Sequence, residues 1–372
     1  MKFTCEKYVL QNALNTASRA AAQKSTVPAL EGLLIEAVGS TVRISGYDMK
    51  IGITTSIPAD IEQSGGIVLN SRLFCDIIRK MPDDIVSISA DESYMTRIKC
   101  AMSDYEIMGT AAEDYPELPT VDSTSGINVP QGMLKSMIAQ TNFAVSDNES
   151  RPIHMGELFD IENGTLTVVA VDGYRLALRR EELSDESAVP GSFVVPGTAL
   201  SEVEKIAEDT QEPLKITVGL KHIMFTVNET VLITRRLEGE FLNYKNSIPQ
   251  TGKYHIKADK RKLIDAVERV SLIISDKLKS PVRCTFRDNV VSMLTNTTLG
   301  KASDEVEVEG DGENLEIGFN NKYLLDALKA APADEVCLRL TSGVTPCVVL
   351  PTDDSRSFVY MILPVRLKSN EG

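Results

Sequence analysis

The sequence predicts an α+β fold made of three tandem copies of one unit, each with two helices packed on antiparallel sheet. Three observations carry this. A helix-spaced apolar face recurs three times, a polar turn recurs at constant spacing inside strand-forming runs, and two turn-rich linkers separate the copies.

The first helix of each unit shows apolar or small residues at i, i+3, i+4 and i+7, which share one helical face. They are Leu10, Ala13, Leu14 and Ala17, then Leu134, Met137, Ile138 and Thr141, then Leu263, Ala266, Val267 and Val270. The runs VRISGYDMKIGITTSI, LTVVAVDGYRLALRR and VVSMLTNTTLGKASDEVEV follow, rich in β-formers and broken by a polar turn. Asp48, Asp172 and Asn296 mark that turn at a constant spacing of 124 residues (48, 172, 296). A second helix starts near Asn70-Ser71, near Pro196-Gly197-Thr198 and near Asn320-Asn321, which include capping residues. Its apolar faces are Phe74, Ile77, Ile78 and Met81; Leu200, Val203 and Ala207; and Leu324, Ala327, Leu328 and Ala331. The strands DIVSISA, LKITVGL and EVCLRLT contribute to closing the units. With linkers at 115–126 and 246–254, the expected domains are 1–120, 127–247 and 253–367, followed by a polar tail, 368–372.

Composition and motifs narrow the function. With 42% hydrophobic and 25% charged residues the chain suits a folded domain rather than a disordered one. No apolar stretch approaches the ~20 residues of a membrane span, and the N-terminus MKFTCEKYVLQNAL lacks the apolar core of a signal peptide. A cytoplasmic location is expected. Cys5, Cys75, Cys100, Cys284, Cys337 and Cys347 are scattered without a C-x-x-C pair, so neither a metal nor a disulfide framework is expected. There is no P-loop, no dinucleotide fingerprint and no G-x-S-x-G elbow. Asp83-Asp84 and Asp353-Asp354 read as turns beside Pro82 and Pro351, since adjacent strand residues point to opposite faces and make poor catalytic dyads. His154 has no nucleophile motif near it. The missing constellation disfavours an enzyme on a repeated scaffold; the cytosolic signature disfavours an adhesin or other scaffold unrelated to DNA. No cofactor is expected. The net charge of −14 argues against a simple nucleic-acid binder, unless the basic residues are gathered on one surface.

VVAVDGYRLA (168–177), EGEFLNYKNSIP (238–249), IGFNNKYLLDAL (317–328) and YMILPVRL (360–367) resemble the β subunit of bacterial DNA polymerase III, the sliding clamp. MKFTCEKYVLQNAL and VPALEGLLIEA look similar too, so the resemblance spans essentially the whole chain. It implies three DNA-clamp units forming half of a pseudo-sixfold ring, with a second copy joined head to tail. Helices would line the inside, and the ring would act as a non-enzymatic processivity factor. Implied partners are duplex DNA held topologically and without sequence preference, the replicative polymerase and an ATP-driven clamp loader. Other replication and repair proteins carrying clamp-binding peptides are implied as well, and no membrane.

The resemblance also implies residues. A partner-peptide groove between the second and third domains maps to His154, Val171, Gly173, Tyr174, Arg175, Leu176, Leu242, Leu278, Asn320, Tyr323, Val344 and Pro346. The tail adds Met361, Ile362, Leu363, Pro364, Val365 and Arg366. His154 stands where the family pattern has leucine, Leu242 replaces a frequent proline, and Asn246 and Ser247 replace an arginine and an aliphatic. Lys24 and Asn148 map to DNA-contacting loops. Arg72, Arg79, Lys80, Lys135, Lys205 and Lys322 lie on or beside helices expected to face DNA, and Tyr105, Leu272 and Ile273 map to the dimer seam.

Overall fold

The computed structural model describes residues 1–121, 126–185, 190–275, 280–353 and 355–367. Three copies of one element order follow each other. The first copy comprises β1 (Lys2–Glu6), α1 (Lys7–Ala17), β2 (Gly32–Val38), β3 (Thr41–Tyr47), β4 (Ile51–Pro58), a short β5 (Asp60–Gln63), β6 (Gly65–Asn70), α2 (Ser71–Lys80), β7 (Ile85–Ala90), β8 (Met95–Cys100) and β9 (Ser103–Met108). The second comprises β10 (Gly126–Pro130), α3 (Gln131–Ala139), β11 (Gly156–Glu162), β12 (Thr165–Val171), β13 (Arg175–Glu182), β14 (Gly191–Pro196), α4 (Gly197–Ile206), β15 (Pro213–Val218), β16 (His222–Val227), β17 (Thr230–Arg235) and one helical turn, α5 (Tyr244–Ser247). The third comprises β18 (Tyr254–Asp259), α6 (Lys260–Ser271), β19 (Val282–Arg287), β20 (Val290–Thr297), β21 (Gly300–Glu307), β22 (Leu315–Phe319), α7 (Asn321–Ala330), β23 (Glu335–Leu340), β24 (Cys347–Pro351) and β25 (Phe358–Ile362).

The chain packs as two bodies. The first, Met1–Gly132 with Glu202–Arg236, holds a five-stranded sheet, β5-β1-β7-β8-β9, and an eight-stranded sheet, β10-β15-β16-β17-β4-β3-β2-β6. Leu10, Ala13, Leu14 and Ala17 of α1 and Phe74, Ile77 and Ile78 of α2 are buried with Phe3, Ile35, Ile44, Val86 and Ile98 in one core. The second body, Met133–Ser201 with Leu237–Gly372, holds an eight-stranded sheet, β14-β11-β12-β13-β25-β24-β23-β18, and a four-stranded sheet, β21-β20-β19-β22. Its helix-side core joins Leu263, Ala266, Val267 and Val270 of α6 to Leu324, Ala327 and Leu328 of α7. A separate cluster with Leu176, Val348 and Met361 covers the other face of its large sheet.

Local chemistry explains the helix starts. Asn70, Asp259 and Asn320 cap α2, α6 and α7 by accepting backbone N–H bonds one turn in, at 3.0, 2.9 and 3.0 Å. In the second repeat α3 ends at Ala139, so Thr141 lies past it. Its buried hydroxyl bonds to the Met137 carbonyl at 2.8 Å and to the Glu157 carboxylate.

The recurring turn corrects the even spacing. Asp48 and Asp172 sit inside their hairpin loops and accept from the N–H groups of Lys50 and Ile51, and of Tyr174 and Arg175. Asn296 instead remains in β20, paired with Lys301; its counterparts are Tyr47, opposite Gly52, and Val171, opposite Leu176. Thr297 takes the turn position, its Oγ1 accepting from the Leu299 N–H at 3.1 Å. The third hairpin is thus shifted by one residue, and in a strand one residue exchanges the faces.

Gly46 on β3 backs onto the end of α1, where an added Cβ would lie 2.1 Å from the Ala17 carbonyl oxygen. The corresponding strand positions in the other repeats hold Ala170 and Thr295, both fully buried. We expect Gly46→Ala to destabilise the chain by about 1–3 kcal/mol through overpacking. Urea unfolding would show a lower midpoint with unchanged slope.

Candidate peptide groove, DNA-facing residues and seam

All described residues of the expected groove fall in the second body; Leu278 lies outside the described residues, as does the tail 368–372. The β12–β13 turn organises one end. Gly173 takes φ +93°, a backbone setting that favours glycine, and Asp172 closes the turn with its two N–H bonds. β13 pairs with β25, setting Arg175 opposite Ile362 and Leu176 opposite Met361, and the Leu363 N–H donates to the Tyr174 carbonyl at 2.8 Å.

Strand alternation divides the expected residues into two groups. Val171, Leu176 and Met361 share the face covered by the outer apolar cluster, and each is at most 8% exposed. Phe241 and Ile153 pack on that cluster, and Phe241 meets the His154 ring edge-on at 5.5 Å. Around this floor, Tyr174, Leu242, Val344 and Leu363 are exposed. Burial and the nearby Arg151 push the His154 imidazole below its usual range, so it stands neutral at pH 7.

Arg175, Asn320, Tyr323 and Ile362 belong to the other face. Ile362 is fully buried in the helix-side core and does not line the floor beside Leu176 and Met361; its odd-even position on β25 decides this. Asn320 spends its side-chain oxygen on capping α7. Arg175 is 8% exposed, and its guanidinium donates to Asp172 at 2.9 Å, to Asp326 of α7 at 2.5 Å and to the Phe143 carbonyl at 2.5 Å. Its carbon lies 4.5 Å from the Tyr323 ring centre, and Tyr323 stacks on Tyr174 at 6.2 Å. Arg175 therefore ties the turn to α7 and holds the two tyrosines behind the rim. Pro346 leads into β24, Val365 bridges to Gly318 with an N–H bond of 2.8 Å, Pro364 is half-buried and Arg366 is exposed. Sequence reading missed Phe143, Asp326 and Phe241, because each is brought in by tertiary packing.

Among the expected DNA-facing residues, Lys24 and Arg72 share a broad concave surface of the first body, together with Lys50, which was not anticipated. Arg79, Lys80, Asn148 and Lys322 are exposed, and Lys135 is half-buried. Some cations already have partners: Lys205 meets Glu202 at 2.7 Å and Arg79 meets Asp76 at 2.5 Å. At the expected seam, Tyr105 on β9 and Leu272 after α6 are 43% and 84% exposed, while Ile273 is half-buried. No helix among the described residues is long and apolar enough to cross a membrane, and no described cluster of His, Cys, Asp or Glu could hold a metal ion.

Models of the N-terminal, central and C-terminal domains of the DNA polymerase III beta subunit match residues 1–119, 128–243 and 245–366. The chain belongs to the DNA polymerase III beta subunit family. It is 32% identical to the beta sliding clamp of Halalkalibacterium halodurans over 98% of this chain and 100% of that one. Its fold matches the DNA polymerase sliding clamp of Bacillus subtilis with a TM-score of 0.95 at 31% identity, covering 99% and 100% of the two chains. A sliding clamp from Pseudomonas aeruginosa bound to griselimycin matches with a TM-score of 0.93 at 25% identity, covering 99% and 100%. As a member of this family the chain is a non-catalytic processivity clamp built of three tandem clamp units.

Replacing Arg175 by methionine would leave Asp172 and Asp326 side by side without their cation. Breaking a buried charged network in this way costs about 3 kcal/mol. We expect thermal unfolding to register that loss, and the Asp326→Asn background to reduce it.

Proposed function

We propose that two copies of this chain close a ring around duplex DNA and hold polymerases there through the groove of the second body. The observation that carries the ring is a pair of incomplete sheets. Each eight-stranded sheet joins the third hairpin strand of one repeat to the last strand of the next, β4 to β17 and β13 to β25. The remaining strands of these two kinds, β21 and β9, lie at the edges of the four- and five-stranded sheets. A second copy supplies what each edge lacks, with Tyr105, Leu272 and Ile273 at the seam. In this reading the clamp units are residues 1–120, 127–247 and 253–367.

The ring reading also resolves the charge problem. Lys24, Arg72, Arg79, Lys80, Lys135, Asn148, Lys205 and Lys322 face the duplex, while the net charge of −14 resides elsewhere. Phosphate contacts of this kind are sequence-blind and permit sliding. Retention is topological, and opening the ring falls to an ATP-driven loader, since the chain has no phosphate loop. Loaded clamps are expected to stay on circular DNA and to leave within minutes once the circle is cut. Equal retention on circles and on linear DNA with free ends would overturn the mechanism.

Partners dock by a short peptide, glutamine followed by leucine and an aromatic or aliphatic residue, over the floor of Val171, Leu176 and Met361. Leu363, Leu242 and Val344 on the rim lose water to it, and His154 makes one side more polar. Trimming Leu363 to Ala should weaken a labelled peptide by about 1 kcal/mol, roughly five-fold in Kd. Unchanged affinity with the dimer intact would move the groove elsewhere.

A further inference from the structure

The two completed splices have a common register, and it can be carried to the open edges. Leu232 of β17 lies opposite Ile53, and Tyr360 of β25 lies opposite Ala177. In the first repeat the residue corresponding to Leu232 is Tyr105: Leu232 pairs with buried Phe225 across a hairpin whose facing ends are Val227 and Thr230, and Tyr105 pairs with buried Ile98 across one ending at Cys100 and Ser103. On the other edge, the residue corresponding to Ile53 and Ala177 is Ala302. The facing pairs Tyr47–Gly52, Val171–Leu176 and Asn296–Lys301 fix the correspondence, and Ala302 packs against the helix-side core.

We infer that β9 of one copy and β21 of another form an antiparallel ladder in which Tyr105 lies opposite Ala302 and Glu106 opposite Lys301. The same register sets Asp104 opposite Ser303 and Met108 opposite Leu299. The chemistry fits position by position. The tyrosine ring meets a small residue, a carboxylate meets an ammonium on the solvent side, and two exposed apolar side chains, Met108 (62%) and Leu299 (72%), meet each other. The even sequence spacing of the turns would instead slip the ladder by one residue. Tyr105 would then face Lys301 and Glu106 would face Gly300, with every side chain of β21 on the wrong face.

This inference rests on the two-copy ring and adds its residue register. Paired cysteines test it, because disulfides form only where Cα atoms approach to about 4.4–6.8 Å with side chains on the same face. Burial raises all six native thiols, Cys5 and Cys284 to about 12, so they stay protonated during mild oxidation. A chain carrying Asp104→Cys and Ser303→Cys should oxidise to a covalent dimer, whereas Asp104→Cys with Ala302→Cys should not. A covalent dimer from the second variant, or from neither while the parent sediments as a dimer, would overturn the register; a parent that stays monomeric would overturn the ring itself. An independent pair of variants reads the same contact without oxidation. Glu106→Lys should weaken dimerisation about three- to five-fold, and adding Lys301→Glu should restore it. Failure of the second change to rescue the first, with the parent dimeric, counts against the register.

Discussion

The antiparallel hydrogen bonding that splices one repeat to the next sets the terms for everything else in the chain. Residues 51–55 of β4 run against residues 230–234 of β17, and residues 175–179 of β13 against 358–362 of β25. Backbone bonds of this kind carry little sequence information themselves. Register comes instead from what each strand buries. Leu232 and Tyr360 turn toward the helices, and Met361 toward the opposite cluster. A slip would exchange the two sets, so the splice is pinned by burial on both faces.

The groove is a by-product of the second splice. Pairing β13 with β25 brings Leu176 beside Met361 on one face and sets Arg175 beside Ile362 on the other. The outer residues form an apolar floor, and the inner arginine reaches α7 and the Phe143 carbonyl. A binding surface and its support thus come from neighbouring positions on one strand, separated only by the alternation of the pleat.

Much of this was legible in the sequence. The apolar positions of α1, α6 and α7 were read from spacing alone, because a helix that must bury one face repeats every three to four residues. The turn at Asp172 was legible because its short carboxylate closes the loop locally. The third turn was misread by one residue, since Asn296 and Thr297 are both polar and only pairing distinguishes them. Ile362 was assigned to the groove because YMILPVR reads as a continuous apolar run, whose inward and outward halves periodicity cannot separate when both faces are covered. Asp326 and Phe143 were invisible, being far from Arg175 in sequence and close only after folding. Among the cations, type and helix were readable, but the carboxylates that already engage Lys205 and Arg79 were not.

The charges along β9 have a consequence for mistakes in assembly. Two copies of β9 laid antiparallel about Tyr105 would set Asp104 against Glu106 twice over, and like charges directly opposite destabilise a ladder. β21 carries Asp304, Glu305 and Glu307 against a single lysine, so its self-pairing is also burdened by carboxylates. An exposed strand edge invites any other edge to join it; these two edges discriminate against their own kind. The chain is therefore a polar building block with unlike ends, and fidelity of joining is written in electrostatics rather than in the apolar contacts that hold the finished joint. That fidelity depends on the medium: as salt shortens the reach of a charge below the ~8 Å of physiological solution, the wrong junctions lose more of their penalty than the right one loses of its packing.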